Sequence, residues 1–137
     1  MDLYLCLPYR KANTIIIKAD LYSESNITKC KIVFDTGAAR TALRKSLLVR
    51  AGYNVFDDSK TIKQTGAGIV QLKTCMINRF DIGGVFKLNN LKVDVLDAPG
   101  LIVDGVLGMD FISQVNCLLD KTTRTLTIST KPWREFI

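Results

Sequence analysis

Short runs in which apolar and polar residues alternate cover most of this 137-residue chain. Alternation with a period of two is typical of a β-strand that has one face in a core. The clearest runs are residues 3–7, 29–34, 70–76 and 91–95, and a β-branched stretch over residues 14–21 is expected to be buried on both faces. This many short strands predicts an all-β, or mostly β, barrel.

Two short helices are predicted among the strands. One covers residues 45–51 and stops at Gly52, and the other begins near Met109 after an apolar strand. The length of the chain suits one core, and no internal repeat indicates a second lobe. We therefore predict a single domain over residues 1–137.

Two hairpins are predicted from turn residues that separate alternating runs. The first joins residues 61–64 to residues 70–76 through a glycine-rich tip, because glycine tolerates the backbone angles of tight turns. The tip consists of Thr65, Gly66, Ala67 and Gly68. The second hairpin joins residues 117–119 to residues 126–128 near the end of the chain.

The chain contains no histidine, and this excludes two large classes of hydrolase. Ser-His-Asp and Cys-His sites both need an imidazole as the base. The cysteines lie far apart with no Cys-x-x-Cys pair, so we predict neither a metal site nor a cofactor. They are Cys6, Cys30, Cys75 and Cys117, and we expect four buried, reduced thiols rather than a disulfide pair. Any hydrolytic chemistry would therefore use carboxylates.

The net charge of +6 is spread along the chain rather than collected in one segment. Scattered basic residues among acids are typical of a solvated surface, so we predict no nucleic-acid partner. No stretch approaches the roughly 18 consecutive apolar residues that a membrane-spanning helix needs. The first residues do not resemble a secretory signal. A soluble, cytoplasmic protein with no membrane partner is expected.

The segment IVFDTGAAR, residues 32–40, ends an apolar strand with the carboxylate of Asp35. Burying a lone carboxylate is costly, so such a group usually has a partner. An isolated Asp-Thr-Gly tripeptide is most often a turn. Here, however, it follows an apolar strand and is matched downstream by Val106-Leu107-Gly108, with the glycine-rich hairpin between the two.

These three elements, in this order on a mostly-β chain, resemble the retropepsins, the single-domain aspartic proteases of the retroviral type. The segment VFDTGAARTALRKSLLVRAGY resembles the catalytic loop and following helix of the cellular and bacterial branch. The segment DGVLGMDFISQVNCLLDKTTRTLTI resembles the downstream glycine motif, helix and closing hairpin of that branch. The resemblance implies a closed acid-protease barrel and an aspartic endopeptidase that hydrolyses peptides or proteins.

The resemblance implies a catalytic centre of Asp35, Thr36 and Gly37. Aspartic proteolysis needs two carboxylates that share one proton, so the second Asp35 should come from a second copy of the chain in a homodimer. One Asp35 would activate a water, and the other would hydrogen-bond the scissile carbonyl. Thr36 would hydrogen-bond across the interface, and Gly37 would let the substrate backbone approach. Ala38 lacks the hydroxyl of pepsin-like enzymes, so we expect activity at milder pH.

The resemblance also implies the residues that contact the substrate. The glycine-rich tip would close over an extended peptide, exclude water and supply backbone hydrogen bonds. Gly108 would let the chain cross under the catalytic loop. The predicted substrate-binding residues are Ala38, Thr65, Gly66, Ala67, Gly68, Val106, Leu107 and Gly108.

Several alternatives stay open. An intrachain pair of Asp35 with Asp104 is conceivable, although no Thr-Gly follows Asp104. The same fold would suit a non-catalytic dimerisation or peptide-binding module, or an enzyme that cuts only itself or one partner. The segments that could form a dimer interface, or pack on their own core, contain Leu3, Leu5 and Leu7 and, in the tail, Trp133, Phe136 and Ile137.

Overall fold

The strands of the chain form two β-sheets. A computed structural model describes residues 3–9, 14–55, 60–65, 68–97 and 102–130. In chain order the elements are β1 (Tyr4–Pro8), β2 (Ile16–Tyr22), β3 (Ile27–Phe34), β4 (Ala42–Arg44), α1 (Lys45–Ala51), β5 (Lys60–Thr65), β6 (Gly68–Ile82), β7 (Phe86–Leu96), β8 (Gly105–Leu107), α2 (Met109–Ile112), β9 (Asn116–Asp120) and β10 (Thr125–Ser129). Two short helices interrupt the series of strands along the sequence, one after β4 and one after β8.

Six strands close into a barrel. Their order is β2, β3, β8, β4, β7 and β6, and β6 pairs back onto β2. Strand β5 pairs with β6 and extends the larger sheet beyond the closed barrel. The prediction of a mostly-β closed barrel with two short helices is confirmed. The single-domain organisation stays a prediction.

Strand β2 has one buried face and one exposed face. Ile17, Ala19 and Leu21 point into the core, whereas Ile16 is 47% exposed and Lys18 lies on the outside. The prediction that this stretch is buried on both faces is wrong. The β-branched residues gave no alternation to read, but β2 lies in a barrel wall between β3 and β6, where one face meets solvent.

Both predicted helices are confirmed. Helix α1 buries Leu47 and Leu48, and it ends at Gly52, whose φ of 97° is left-handed. Glycine adopts that angle without the strain that a Cβ would bring. Helix α2 begins at Met109. Within the described ranges, no helix is long and apolar enough to cross a membrane.

Both predicted hairpins are confirmed. Strands β5 and β6 pair antiparallel up to Thr65 opposite Gly68, and residues 66 and 67 lie outside the described residues. Strands β9 and β10 pair with Cys117 opposite Ile128. Strand β1 pairs with the other side of β10, which gives a three-stranded order β1-β10-β9 that we call the terminal sheet.

The N-terminal strand therefore pairs within its own chain. Leu5 lies opposite Ile128 of β10, and the strand's leucines pack against the buried core. Of the two segments considered for a dimer interface, this one packs on its own protomer. The other, with Trp133, Phe136 and Ile137, lies outside the described residues.

The four cysteines are free thiols. The prediction that all four are buried is wrong, because Cys6 is exposed and Cys117 is half-buried. These two residues lie on β1 and β9, the outer strands of the terminal sheet. Cys30 and Cys75 are buried, as expected.

We expect Cys30 to resist alkylation in the native protein. Burial, with a smaller contribution from the nearby Asp104 charge, raises the pKa of the Cys30 thiol to about 12. The reactive thiolate is therefore scarce at pH 8, and iodoacetamide should label native Cys30 at least about 100-fold more slowly than urea-unfolded Cys30. Peptide mass spectrometry after timed labelling measures both rates. Similar rates in the two states would contradict the buried position.

Candidate active site

The strand order forces two backbone segments to cross beside Asp35. Strand β8 lies between β3 and β4, with Val106 opposite both Val33 and Ala42. The connection from β3 to β4, which we call the Asp35 loop (residues 35–41), must therefore pass the end of β8. Two backbone segments that cross this closely leave no space for side chains between them.

Glycines stand on both sides of this crossing. A Cβ on Gly105 would lie 2.2 Å from the Ala42 carbonyl oxygen. A Cβ on Gly108 would lie 2.5 Å from the Arg40 carbonyl carbon and 2.9 Å from the Ala38 carbonyl oxygen. These contacts are with backbone atoms that cannot rotate away, so the two positions require glycine.

Backbone hydrogen bonds hold Asp35 at the end of β3. The Asp35 N–H donates to the Leu107 carbonyl oxygen at 3.0 Å, and the Ala38 N–H donates to the Asp35 carbonyl oxygen at 3.3 Å. The Gly37 N–H donates to Asp35 Oδ1 at 2.9 Å, which orients the carboxylate. Asp35 is half-buried, while Thr36 and Gly37 are exposed. The protomer thus presents the Asp-Thr-Gly tripeptide at its surface.

Asp104 does not pair with Asp35. Its carboxylate forms an ion pair with Arg44 through Oδ1 and accepts the Lys31 N–H through Oδ2 at 2.8 Å. The Asp104 N–H also donates to the Lys31 carbonyl oxygen, so Asp104 lies level with Lys31 on β3. That position is about 13 Å along the strand from Asp35, at roughly 3.3 Å per residue. The intrachain alternative is therefore excluded.

A buried polar network fastens the Asp35 loop to helix α2. Thr41, which is fully buried, donates its N–H to Asp110 Oδ2 at 2.9 Å and its hydroxyl to Asp110 Oδ1 at 2.8 Å. The Gly108 N–H donates to the Thr41 hydroxyl oxygen at 3.2 Å, and the Met109 N–H donates to the Ala38 carbonyl oxygen at 2.7 Å. The loop and the helix therefore form one rigid unit.

Sequence reasoning did not assign roles to Thr41 and Asp110 in this network. One signal was available, because Asp110 lies in the first turn of a helix that begins after Gly108, where a carboxylate is favoured. No local pattern marks Thr41, because its partners are 67 and 69 residues away in the sequence.

Arg40 connects the Asp35 loop to the wall of the barrel. Its guanidinium lies 3.3 Å from Asp94 Oδ1, and the Asp94 side chain is only 4% exposed. The Asp94 N–H donates to the Thr41 carbonyl oxygen at 3.0 Å. Asp94 also lies opposite Thr74 of β6, the strand that continues from the glycine-rich hairpin. The Asp35 loop and the base of the hairpin therefore share a neighbour.

The predicted substrate-binding residues occupy three kinds of position. Ala38, in the Asp35 loop, and Val106, beside it, are half-buried, whereas Leu107 and Gly108 are buried behind the loop. Gly66 and Ala67 lie outside the described residues, between the strand ends Thr65 and Gly68. Leu107 and Gly108 support the loop through backbone contacts, and substrate contact by any of these residues stays a prediction.

No group of three or more Cys, Asp or Glu side chains that could hold a metal ion is present within the ranges that the structure describes. The chemistry that the described arrangement offers is that of a carboxylate. The Asp35 carboxylate is oriented by one backbone amide and carried on a loop that is fixed from behind.

Comparisons with known proteins point to one family. A model of the aspartyl protease family matches residues 23–111 of the chain. No curated protein matches the sequence significantly.

Two solved structures show the fold. A retropepsin-like aspartic protease from Rickettsia conorii has a TM-score of 0.68 at 22% sequence identity, covering 94% of this chain and 92% of that chain. The retroviral protease-like domain of Ddi1 from Leishmania major has a TM-score of 0.53 at 17% identity, covering 86% of this chain and 90% of that chain. The fold of the chain is thus retropepsin-like.

Proposed function

Because the chain belongs to the aspartyl protease family, we propose that it is an aspartic endopeptidase, active as a homodimer in which each protomer supplies one Asp35. The observation that carries the proposal is the half-site itself. Asp35 is oriented by the Gly37 N–H and held on a rigid loop, with Thr36 and Gly37 exposed beside it. The other acid considered as a partner for Asp35, Asp104, forms an ion pair with Arg44 and accepts a hydrogen bond from the Lys31 N–H.

Two Asp35 carboxylates close together would share one proton, because like charges at that separation cannot both ionise. The ionised carboxylate takes a proton from a water, whose oxygen attacks the scissile carbonyl carbon. The protonated carboxyl donates to the carbonyl oxygen, which gives a neutral tetrahedral diol. When the diol collapses, the C–N bond breaks as the amine nitrogen takes the proton of the newly protonated Asp35. A diol hydroxyl gives its proton to the ionised Asp35, so the dyad again holds one proton.

The residues around the two Asp35 side chains position them, admit the substrate or set the pH of activity. Thr36 hydrogen-bonds across the dimer interface and Gly37 admits the substrate backbone. Ala38 offers no hydroxyl to the carboxylate, which favours activity at milder pH than in pepsin-like enzymes. Thr41 and Asp110 hold the loop from behind, where a displacement of about 1 Å can cost 10²-fold in rate.

The hairpin of β5 and β6 is proposed as a flap over the substrate. Its tip, between Thr65 and Gly68, would close over an extended peptide and exclude water from the dyad. Ala38 of the Asp35 loop and the neighbouring Val106 are both half-buried and would line the cleft beneath the flap. Leu107 and Gly108 act from behind the loop.

The decisive experiment compares the wild type with Asp35→Asn on a mixed peptide library at mildly acidic and neutral pH. The asparagine keeps the shape of the side chain but cannot act as the base, so kcat/KM should fall by about 10²–10⁴-fold or more. Asp97→Asn is the matched control, because the Asp97 side chain is 79% exposed and its ion pair with Lys45 is a surface contact. It should leave kcat/KM within about 2-fold.

Two results would contradict the proposal. Equal cleavage by the wild type and Asp35→Asn would mean that another group, or a contaminant, performs the reaction. Peptide binding by both proteins without cleavage by either would indicate a non-catalytic peptide-binding module instead.

Activity per protomer should also fall on dilution, because a homodimer dissociates as its concentration drops.

A further inference from the structure

A groove of about 820 Å³ lies on the outer face of β2 and β3. Leu7 and Pro8 of β1 line one part of it, and three lysines of β2 and β3 line another: Lys18, Lys29 and Lys31. We call it the lysine groove. Ligand sites in proteins usually measure roughly 300–1,000 Å³, so the lysine groove has the size of a binding site.

Strand pairing arranges the outward side chains of β2, β3 and β8 in rows at increasing distance from Asp35. The first row is apolar and consists of Ile16, Val33 and Val106. The second row places Lys18 opposite Lys31, with Asp104 on the other side of Lys31. The third row consists of Asp20 and Lys29. Along β3, the apolar row therefore lies between Asp35 and the lysines.

Two lysines of the groove face each other directly. The Phe34 N–H donates to the Ile15 carbonyl oxygen at 2.8 Å, so residues 15 and 34 are a hydrogen-bonded pair. The two kinds of pair alternate along an antiparallel ladder, so Lys18 and Lys31 form a non-hydrogen-bonded pair, with Cα atoms about 4.5 Å apart. Like charges at directly opposite positions destabilise a sheet.

The acids beside the lysine groove do not neutralise these charges. Asp104 forms an ion pair with Arg44 and accepts the Lys31 N–H, so its carboxylate is already used. Asp20 lies opposite Lys29. Among the described residues, no ion pair includes Lys18, Lys29 or Lys31. A repulsion that the fold leaves uncompensated favours the binding of an anion.

We propose that the lysine groove holds an acidic segment of the protein substrate, so that the enzyme prefers Asp or Glu about four to six residues from the scissile bond. Lys31 and Lys29 lie about 13 Å and 20 Å before Asp35 along the strand, at roughly 3.3 Å per residue. An extended peptide has the same rise per residue. This inference rests on the proposed function, because it names the substrate class of the same site.

The apolar row joins the lysine groove to the proposed cleft. Val106, which would line the cleft, lies opposite Val33 of β3. Ile16 lies on the other side of Val33, is 47% exposed and also lines the lysine groove. A peptide that leaves the cleft over these side chains reaches Lys18 and Lys31 next.

The lysine groove suits a peptide better than a nucleic acid. Asp20 and Asp104 stand among the lysines, where they would repel a continuous row of phosphates. A peptide can place its acids opposite the lysines alone. Among the described residues that line the groove, no aromatic side chain offers a surface on which a base could stack.

Peptide binding tests the lysine groove without cleavage. The probe is a fluorescein-labelled octapeptide of Asp, Glu and Gly, and the protein carries Asp35→Asn so that the probe stays intact. Adding Lys18→Gln and Lys31→Gln together should raise Kd, measured by fluorescence anisotropy, by about 10-fold, because two charge contacts are lost. Adding Lys92→Gln instead should change Kd by less than about 2-fold, since Lys92 is exposed on β7 and outside the groove.

Three binding results would overturn the proposal. The first is an equal Kd for the double variant and the Lys92→Gln protein. The second is equally tight binding of an octapeptide in which Asn and Gln replace the acids. The third is a single-stranded oligonucleotide that binds more tightly than the acidic octapeptide and loses affinity in the same double variant, because it assigns the groove to nucleic acid.

Lys18→Glu separates a loss of binding from a loss of folding. A glutamate opposite Lys31 replaces a repulsion by an attraction, so the urea midpoint of unfolding should rise. Kd for the acidic octapeptide should nevertheless rise by at least about 10-fold. Misfolding cannot produce higher stability together with weaker binding. A lower urea midpoint with an unchanged Kd would contradict the role of this lysine pair.

Cleavage links the lysine groove to the active site. On a library of peptides about 14 residues long, products of the wild type should be enriched in Asp and Glu four to six residues from the cut. Mass spectrometry should show no such enrichment for Lys18→Gln with Lys31→Gln. Cleavage by the wild type without this enrichment overturns the inference and leaves the protease intact. Lysine-dependent binding without any cleavage supports the groove as a binding site and contradicts the protease.

Discussion

Gly108→Ala is expected to lower the free energy of unfolding by about 3 kcal/mol, the upper end of the usual cost of overpacking, because the added methyl group would meet backbone atoms. The new methyl group would lie 2.5 Å from the Arg40 carbonyl carbon and 2.7 Å from its oxygen. The strain is steric and not conformational, since φ at Gly108 is −101°. Any relief must move the Asp35 loop, so kcat/KM should fall by about 10²-fold as well.

Gly84→Ala is the matched control for this prediction. Gly84 has φ of 71° with no atom within 4 Å of the added Cβ, so alanine meets backbone strain there but no clash. Its cost should be about 1 kcal/mol, with activity unchanged. Urea denaturation gives both free energies. A Gly108→Ala protein no less stable than Gly84→Ala would show that the crossing is looser than the hydrogen bonds indicate.

Asp110→Ala is expected to produce the second large loss. The Asp110 carboxylate accepts the Thr41 N–H, the Thr41 hydroxyl and the Phe111 N–H. Thr41 is fully buried, so water cannot accept the hydrogen bonds that its N–H and hydroxyl would lose. The free energy of unfolding should therefore fall by about 2–4 kcal/mol. The Asp35 loop loses its attachment to α2, so kcat should fall while peptide binding by the flap changes less.

Asp110→Asn is the conservative comparison. One amide oxygen remains as an acceptor, but the NH₂ group faces Thr41 as a second donor, so the expected loss is about 1 kcal/mol. Chemical denaturation and the separation of kcat from KM measure the two effects. Loss of stability in Asp110→Ala with kcat unchanged would contradict a positioning role and leave Asp110 as a purely structural residue.

Local patterns in the sequence predicted the strands, hairpins and helices well. Alternation over residues 29–32 reports which face is buried, because Cys30 and Ile32 are buried while Lys29 and Lys31 are exposed. Gly52 marks a helix end because it takes a left-handed angle. The pattern failed over residues 14–21. The β-branched residues 14–17 look the same whether a strand is covered on one side or both, and the neighbouring strands decide that Ile16 faces solvent. The alternation of Lys18 and Asp20 with Ala19 and Leu21 did indicate one exposed face.

The position of Asp35 at the end of an apolar strand was predictable, whereas the contacts that support its loop were not. Asp35-Thr36-Gly37 alone is most often a turn, and it became a candidate site only because an apolar strand precedes it and Val106-Leu107-Gly108 follows downstream. The insertion of β8 between β3 and β4 is a long-range pairing, and it explains why Gly105 and Gly108 cannot carry side chains. The bond between Thr41 and Asp110 spans 69 residues, and no local period encodes such a contact.

The terminal sheet has a consequence for how the protein is controlled. Strand β10 already has β1 on one side and β9 on the other, so a protomer completes its terminal sheet by itself. Under the proposed function, folding and the assembly of the dyad would then be separate events. Protein concentration rather than refolding would decide when hydrolysis begins.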